Sequence, residues 1–177
     1  MINRKYANIR EILKFMKRTY CGKIGYEFMH ISNPVERKWF RDRIEQDKNA
    51  NFIFKEAKTL GLSILVGSHP EFDSWLKGKA DISFSNDDIF DLYWLAASYG
   101  GAIKSSRGNP FELVNLPTVG KLLRTALALD PEWGQGALYS AMMSYTSSRP
   151  DLSSDMLKDS ANYYFNKAVS VSDSLDA

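Results

Sequence analysis

The chain contains 177 residues, of which 44% are hydrophobic and 25% are charged, and this balance excludes a largely disordered protein. Its single cysteine excludes an intrachain disulfide and a cysteine-rich zinc cluster. The net charge of +2 is uneven, since residues 1–50 hold 12 Lys or Arg against 6 Asp or Glu and residues 51–177 hold 11 against 15. This asymmetry indicates two parts, or a basic solvated helix face, and no motif accompanies it that would predict binding to nucleic acid.

The first predicted element is a basic amphipathic helix over residues 3–20. Its apolar residues recur at helical spacing, and they are Ile9, Ile12, Leu13, Met16 and Tyr20. Its other faces carry the basic residues Arg10, Lys14, Lys17 and Arg18. This start lacks the apolar core of a signal peptide, and no window approaches the ~20 apolar residues of a membrane span. The chain as written therefore predicts a cytoplasmic protein.

A short extended piece at 26–31 and two helices follow in the predicted order. Asn33, as an N-cap before proline, predicts a helix to residue 45. The polar residues 46–51 predict a junction, which divides the chain into a basic helical appendage, residues 1–50, and a helical-hairpin domain, residues 51–177. The next helix, residues 52–66, contains Gly61, which weakens a helix by ~1 kcal/mol relative to alanine.

The remaining helices are separated by two similar proline stops. His69-Pro70-Glu71-Phe72 ends one unit and Asp130-Pro131-Glu132-Trp133 ends another. Helices are predicted over residues 70–76, 87–104, 117–129, 134–147 and 154–172, with loops at 78–86 and 105–115. This pattern is typical of stacked helical hairpins. A spacing of 42 residues between matching segments, against ~34 in a tetratricopeptide unit, predicts an irregular tetratricopeptide-like array, and the fold class is all-α.

Each predicted helix has an apolar stripe that predicts the core. The stripes are Ile89, Leu92, Tyr93, Ala96, Ala97 and Gly100; Val119, Leu122, Leu123, Ala126 and Leu127; Ala137, Leu138, Ala141, Met142 and Tyr145; and Leu157, Ala161, Tyr164, Phe165 and Ala168. Gly100 and Gly101 inside a helix predict that another element packs very close to them. Asp87 and Asp88 place negative charge at the positive end of the same helix.

Residues 4–46 contain a string that resembles a known enzyme. It reads Thr19-Tyr20-Cys21-Gly22-Lys23-Ile24-Gly25-Tyr26-Glu27-Phe28-Met29-His30-Ile31, followed by Arg37-Lys38-Trp39 and Arg41-Asp42-Arg43-Ile44-Glu45. This segment resembles the N-terminal part of the thiamine-dependent first component of 2-oxoglutarate dehydrogenase. The Gly-Asp-Gly motif that binds thiamine diphosphate in such enzymes is absent, so the resemblance implies no catalysis and no cofactor.

Residues 55–173 resemble a second, unrelated family. The residues that carry this resemblance are Leu92–Ile103, Leu116-Pro117-Thr118-Val119, Leu122-Leu123, Ala126–Pro131, Trp133-Gly134 and Gly136-Ala137-Leu138. The segment is similar to the T component associated with TRAP (tripartite ATP-independent periplasmic) transporters. The resemblance implies a helical, tetratricopeptide-like protein, an exported periplasmic location and a pairing with the solute-binding component of the transporter.

The two resemblances favour a fusion of two segments near residues 47–52. The array is also expected to stop before a further helix, which would leave Phe165, Val169 and Val171 at an apolar end that promotes self-association. The preferred function is a non-enzymatic helical-repeat protein that contacts a TRAP solute-binding protein or an apolar solute. The alternatives are an inactive dehydrogenase fragment joined to an unrelated helical domain, and an inert fusion product that folds only in part.

Chemically reactive residues are few and scattered. Cys21 and His30 lie nine positions apart with no third group to orient them, so a structural thiol is the simpler interpretation. Asp87, Asp88 and Asp91 share one helical turn, where the helix dipole explains them without a cation. No metal site, cofactor or catalytic residue is predicted.

The aromatic residues are the better binding candidates. We expect partner or ligand contacts among Tyr93, Trp94, Ser98, Tyr99, Trp133, Tyr139 and Tyr145. Most of the aromatic rings must also build the core. Trp94 is the strongest surface candidate because it lies one position off the apolar stripe, whereas Trp133 after Pro131 is typical of a packing wedge.

Overall fold

A computed structural model describes residues 34–173 of the chain. Seven α-helices and one 3-10 helix make up the secondary structure of this part, which contains no strand. The α-helices are α1 (Pro34–Ser68), α2 (Phe72–Leu76), α3 (Ile89–Ser105), α4 (Pro110–Leu113), α5 (Leu116–Leu129), α6 (Ala137–Ser147) and α7 (Ser154–Asp173), and the 3-10 turn is Asn86–Asp88. The all-α prediction is confirmed. The predicted helix at 3–20 and the extended piece at 26–31 lie outside the described residues.

The long helices pack in chain order. Helix α1 packs on α3, α3 on α5, α5 on α6 and α6 on α7. Helices α1 and α3 are antiparallel. Asn51 Nδ2 near one end of their contact donates to the Ala102 carbonyl at 2.8 Å, and Gly61, further along α1, lies against the earlier residue Leu95 of α3. The predicted arrangement of antiparallel helical hairpins is therefore present, while the tetratricopeptide-like regularity stays a prediction.

The polar junction predicted at residues 46–51 is wrong, because α1 continues through it. These residues contain no glycine or proline, and their side chains find partners on the α3 side of the molecule. Asp47 accepts a hydrogen bond from Arg107, and Asn51 also donates to Ser105 Oγ at 3.2 Å. Polar side chains here anchor a helix to its neighbour, so their polarity does not indicate a loop. The division of the chain at residue 50 stays a prediction.

Helix α3 lies at the centre of the array and is buried on most of its circumference. The predicted residues Ile89, Leu92 and Ala96 are buried, and Tyr93, Ala97 and Gly100 are half-buried. Five more buried positions face α1 or complete the core, and these are Leu95, Ser98, Tyr99, Ala102 and Ile103. Because α3 contacts helices on two sides, a single apolar stripe underestimates its burial.

Close approach at small residues holds the helices together. A Cβ added at Gly101 would overlap the ring of Phe54 from α1, so the prediction of a tight contact is confirmed there. At Gly100 it is wrong, because a Cβ added there would meet nothing within 4 Å. Similarly, the Tyr145 ring of α6 occupies the space beside Gly120 of α5.

The turn between α5 and α6 has a backbone that favours glycine. Gly134, Gln135 and Gly136 all have positive φ angles, of 65°, 56° and 87°. A Cβ at Gly136 would lie 2.7 Å from the Ala168 carbonyl oxygen of α7, so this turn is also a helix contact. The predicted helix from residue 134 therefore begins three residues later, at Ala137.

Two further expectations need correction. The loop predicted at 105–115 contains the short helix α4, which begins after Asn109; the Asn109 side chain accepts a hydrogen bond from the Phe111 amide at 3.0 Å. Phe165, predicted as a core residue of α7, is 56% exposed. The core of α7 uses the half-buried residues Leu157, Ala161, Tyr164 and Ala168 instead.

The neighbouring glycines of α3 provide a matched test of this packing. We expect Gly101→Ala to lower the free energy of unfolding by about 1–3 kcal/mol, because the Phe54 ring must move. Gly100→Ala should raise it by up to about 1 kcal/mol, because alanine favours the helix and open space surrounds the site. Urea denaturation of the two variants measures both effects. Equal shifts of the same sign would contradict the packing described.

Candidate functional site

A groove lies between α3, α5 and α6 in the described part of the chain. Its volume is about 570 Å³, within the range of small-molecule sites. The residues that line it are Tyr93, Ala96, Ala97, Gly100, Gly101, Ile103, Lys104, Leu116, Val119, Leu123, Ala141, Ser144, Tyr145 and Ser148. Most of these side chains are apolar or small.

The sequence of α3 explains why a groove exists here. Ala96, Ala97 and Gly100 present little side-chain volume toward α5 and α6, so the three helices cannot close completely. Tyr145 forms one wall, and its ring is fixed against Gly120. The site is therefore a consequence of missing side-chain volume on one helix, combined with bulky residues on the others.

Polar groups are sparse and lie on two of the three helices. Ser144 and Ser148, on and just after α6, donate to the carbonyls of Ser140 and Ser144, at 3.1 and 2.9 Å. Lys104 contributes an exposed ammonium at the end of α3. A serine whose hydroxyl proton is committed to the backbone still offers its oxygen as an acceptor. The groove is chemically suited to an apolar molecule with a small polar part.

The predicted site residues separate into three groups. Tyr93 and Tyr145 line the groove, and Trp133 stacks beside Tyr93 with ring centroids 5.1 Å apart. Trp94 is 54% exposed on the outer side of α3 and does not line the groove. The other three, Ser98, Tyr99 and Tyr139, are buried and line no part of it.

An aromatic chain connects the groove to the surface. The Trp133 ring contacts that of Tyr93 at a tilt, Tyr93 contacts Trp94 edge-to-face at 5.4 Å between ring centroids, and Trp94 contacts Phe90 at a tilt at 6.2 Å. The sequence-based prediction did not include Phe90, which is 58% exposed. Its position four residues before Trp94 on one helix face was the available signal.

A buried carboxylate ties α4 to α1 on another side of the molecule. Glu112 forms an ion pair with Lys55 at 2.8 Å and lies 3.9 Å from the Lys58 ammonium. That ammonium is 5.1 Å from the centre of the Tyr99 ring. Burial raises the pKa of the Tyr99 phenol, and the carboxylates of Asp73 and Glu112 raise it further. Tyr99 thus stays protonated and structural. Sequence reasoning missed Glu112 because it assigned this segment to a loop.

His69, Asp88 and Ser85 form a cluster that lacks the geometry of a catalytic triad. The Asp88 carboxylate contacts His69 Nε2 at 2.8 Å and accepts from the Ser85 amide and hydroxyl at 2.8 and 3.0 Å. The serine therefore bonds to the carboxylate and not to the imidazole that would have to activate it. Within the cluster, Ser85 and Asp88 form a capping box for the 3-10 turn Asn86–Asp88, which leads into α3.

The described residues meet neither the requirements of a metal site nor those of a membrane-spanning helix. Between residues 34 and 173, no group of three or more His, Cys, Asp or Glu side chains is placed to hold a metal ion. No helix in that range combines the length and apolar composition needed to cross a bilayer. Cys21 and His30 lie outside the described residues.

Comparison with known proteins gives the family of the chain. The model of the family described as TRAP transporter T-component matches residues 13–177. The chain belongs to this family. The match covers the whole described structure, including the groove between α3, α5 and α6. The family is defined as a transporter component.

Curated relatives give a second, shorter match. The 2-oxoglutarate dehydrogenase E1 components of Brucella anthropi, Brucella ovis and Brucella canis are each 51% identical to the chain over 63 residues. That stretch is 35% of this chain and 6% of each relative, so the chain spans a small fraction of their length. No solved structure matches the chain.

The carboxylate of Asp88 gives the described structure a pH-dependent element. Burial of Asp88 raises its pKa, but the hydrogen bonds from Ser85 and His69 outweigh this effect and the net pKa is lowered. Its stabilisation is therefore complete above the ordinary value of 3.8 and is lost as the pH falls through the lowered value.

We expect Asp88→Asn to lower the free energy of unfolding at neutral pH by about 1–3 kcal/mol, because the charge-assisted bonds are lost. The deficit should shrink as the pH falls below the ordinary value of 3.8 and through the lowered pKa, because the wild-type carboxylate then also becomes protonated. Asp81→Asn, at an exposed position outside the helices, is the control and should change stability by less than about 0.5 kcal/mol. Denaturation curves across this pH range test the expectation, and a constant deficit would contradict it.

Proposed function

We propose that this TRAP T-component is a non-enzymatic binding protein that holds an apolar solute in the groove between α3, α5 and α6. The observation that carries the proposal is the groove itself, about 570 Å³ in volume and lined mainly by apolar and small side chains. A site of this size accommodates an elongated small molecule. The tyrosines at its walls provide contact area with little loss of conformational entropy.

The lining favours an apolar ligand over a highly charged one. Lys104 is the single charged residue among the lining side chains, and it is exposed at the end of α3. A multiply charged solute would have to leave water without enough partners, which is unfavourable. An apolar body with at most one polar end matches the groove.

Association with a transporter supplies the biological setting of the proposal. Membership of the T-component family supports a role beside a TRAP system, and we propose the solute-binding component as the partner, with a periplasmic location. Self-association through the exposed apolar residues of α7, which include Phe165 and Val169, is the alternative partner interaction. Of the sequence-predicted residues, we propose Tyr93, Tyr145 and Trp133 as ligand contacts, because the two tyrosines line the groove and the Trp133 ring contacts that of Tyr93.

We also propose that residues 1–50 and residues 51–177 have separate origins. The charge imbalance between the two parts supports this boundary, whereas the match to dehydrogenase E1 components is 63 residues long and therefore extends beyond residues 1–50. The family match, however, begins at residue 13, so the two parts overlap within one family region.

A larger side chain inside the groove should weaken ligand binding. We expect Gly100→Leu to weaken the binding of the apolar fluorescent probe N-phenyl-1-naphthylamine by about tenfold or more, which corresponds to ~1.4 kcal/mol. The leucine side chain enters open space within the groove and displaces the probe. Fluorescence titration measures the affinity. Thr59→Leu adds the same side chain to an exposed position on α1 and should leave the affinity unchanged.

Probe binding to the Gly100→Leu variant with wild-type affinity would contradict the groove as the site. Absence of probe binding to the wild-type protein would contradict the apolar nature of the ligand. Thermal denaturation of both variants distinguishes a filled groove from a damaged fold.

The enzymatic alternative is tested by turnover. We expect no release of carbon dioxide from 2-oxoglutarate when the protein is supplied with thiamine diphosphate and Mg²⁺. The physical reason is that the 63 matched residues cover 6% of the length of the E1 components and that the chain lacks a Gly-Asp-Gly cofactor motif. A radiometric assay measures the product, and turnover above a protein-free blank would establish the dehydrogenase alternative instead.

A further inference from the structure

Helix α1 exposes an apolar stripe that its neighbours in the described structure do not cover. Ile53, Leu60 and Ile64 recur at i, i+7 and i+11 and are 63%, 62% and 42% exposed. The opposite flank of α1 carries Lys55 and Lys58, which turn toward Glu112 of α4. The stripe is therefore distinct from both the α3 contact and the α4 contact.

The exposed aromatic residues of α3 lie on the same side of the α1–α3 hairpin. Gly101 follows Trp94 by seven residues and shares its helical stripe. The Phe54 ring, adjacent to Ile53 on α1, rests on Gly101. This contact joins the two stripes along one edge, and the antiparallel register places Leu60 and Ile64 toward Trp94 and Phe90. We call this surface the hairpin face: Ile53, Leu60, Ile64, Phe90 and Trp94.

Acidic residues border the hairpin face. Glu56 lies between Ile53 and Leu60 on α1, and Asp87 and Asp91 each precede an exposed aromatic residue of α3 by three positions. From residue 87 to residue 101, α3 and the turn before it contain no Lys or Arg. The face is thus apolar at its centre and negative at its margins, which suits a basic amphipathic helix.

The sequence of the chain itself predicts such a helix. Residues 1–33 hold seven Lys or Arg against two Asp or Glu, and residues 3–20 carry a helical apolar stripe. A helix of that length extends about 27 Å, longer than the ~17 Å between Ile53 and Ile64 along α1. The basic residues Arg10, Lys14, Lys17 and Arg18 flank its stripe.

The connection between this segment and α1 is long enough for it to fold back. Residues 21–33 extend up to about 43 Å when fully stretched. The distance along α1 from its start at Pro34 to Ile53 is about 29 Å. The sequence places Gly22 and Gly25 in this connection, and glycine favours the kind of chain reversal that such a return requires.

We propose that residues 3–20 form a basic amphipathic helix that packs on the hairpin face of the same chain. The apolar residues of this helix cover Ile53, Leu60 and Trp94, and its basic residues meet Glu56, Asp87 and Asp91. The array thereby gains a helix at its first hairpin, on a surface separate from the α3–α5–α6 groove. The inference is independent of which ligand the groove holds.

Intrachain disulfide formation in the full-length protein tests the proposal. In a Cys21→Ser background, Ile12→Cys combined with Leu60→Cys should oxidise within one chain at about 1 μM, because a docked segment gives a far higher effective concentration. Ile12→Cys combined with Phe111→Cys is the control. Phe111 is 84% exposed on α4, beyond the Lys55 flank of α1. Mass spectrometry of peptides and size-exclusion chromatography distinguish intrachain from interchain products.

The expected result is a monomeric product that forms at least tenfold faster for the Leu60 pair than for the Phe111 pair. Equal rates for the two pairs would overturn the proposal in favour of an undocked tether. Interchain disulfides alone would overturn it in favour of a second copy on the hairpin face. Absence of a disulfide in both pairs, with free thiols confirmed, would overturn it as well.

Hydrogen exchange on the wild-type chain gives a second measurement that needs no cysteine. We expect protection of the amides of residues 9–20 and loss of that protection in Leu60→Asp, which places a carboxylate in the apolar centre of the face. Phe111→Asp should leave protection unchanged. Rapid exchange of residues 9–20 in the wild type would overturn the proposal.

Discussion

The fold depends on the close approach of α1 and α5 to the central helix α3. Where α1 crosses α3, Gly61 admits Leu95 and Gly101 admits the Phe54 ring, so two helices share space that side chains normally fill. On the opposite side, α5 contributes the buried residues Val119, Leu122 and Leu123. A helix packed on two sides must satisfy both neighbours with one set of side chains, and this constraint accounts for the small residues of α3.

The same small residues give the molecule its groove. Gly101 is filled from outside by Phe54, whereas Gly100 and Ala97 face a space that no described side chain enters. Closing that space with larger residues would bury more apolar area and stabilise the fold. The helices are therefore incompletely packed at the groove. Such a local gap, which lowers the stability of the fold, is typical of a binding site.

Sequence periodicity predicted the helices well and their partners poorly. Prolines at helix ends and apolar stripes located α3, α5, α6 and α7 within a few residues, because the spacing of apolar residues in a helix is a property of the local sequence. The continuity of α1 through residues 46–51 depends on Arg107 and Ser105, more than fifty positions away. The convergence of Tyr93 and Tyr145 on one groove depends likewise on how three helices cross. Trp94 was recognisable as exposed because its phase on one helix suffices to show it.

The contacts of α1 also set its register on the central helix. Asp47 and Asn51 of α1 form side-chain bonds with Arg107 and with the Ala102 carbonyl, at the end of α3 and just after it. From there onward, α1 must match α3 at Phe54, Gly61 and Leu65, and its register is fixed. The stretch that matches dehydrogenase E1 components is 63 residues long, and only 46 residues precede Asp47. This stretch therefore includes residues at or beyond Asp47, where the chain must also satisfy the contacts of the array.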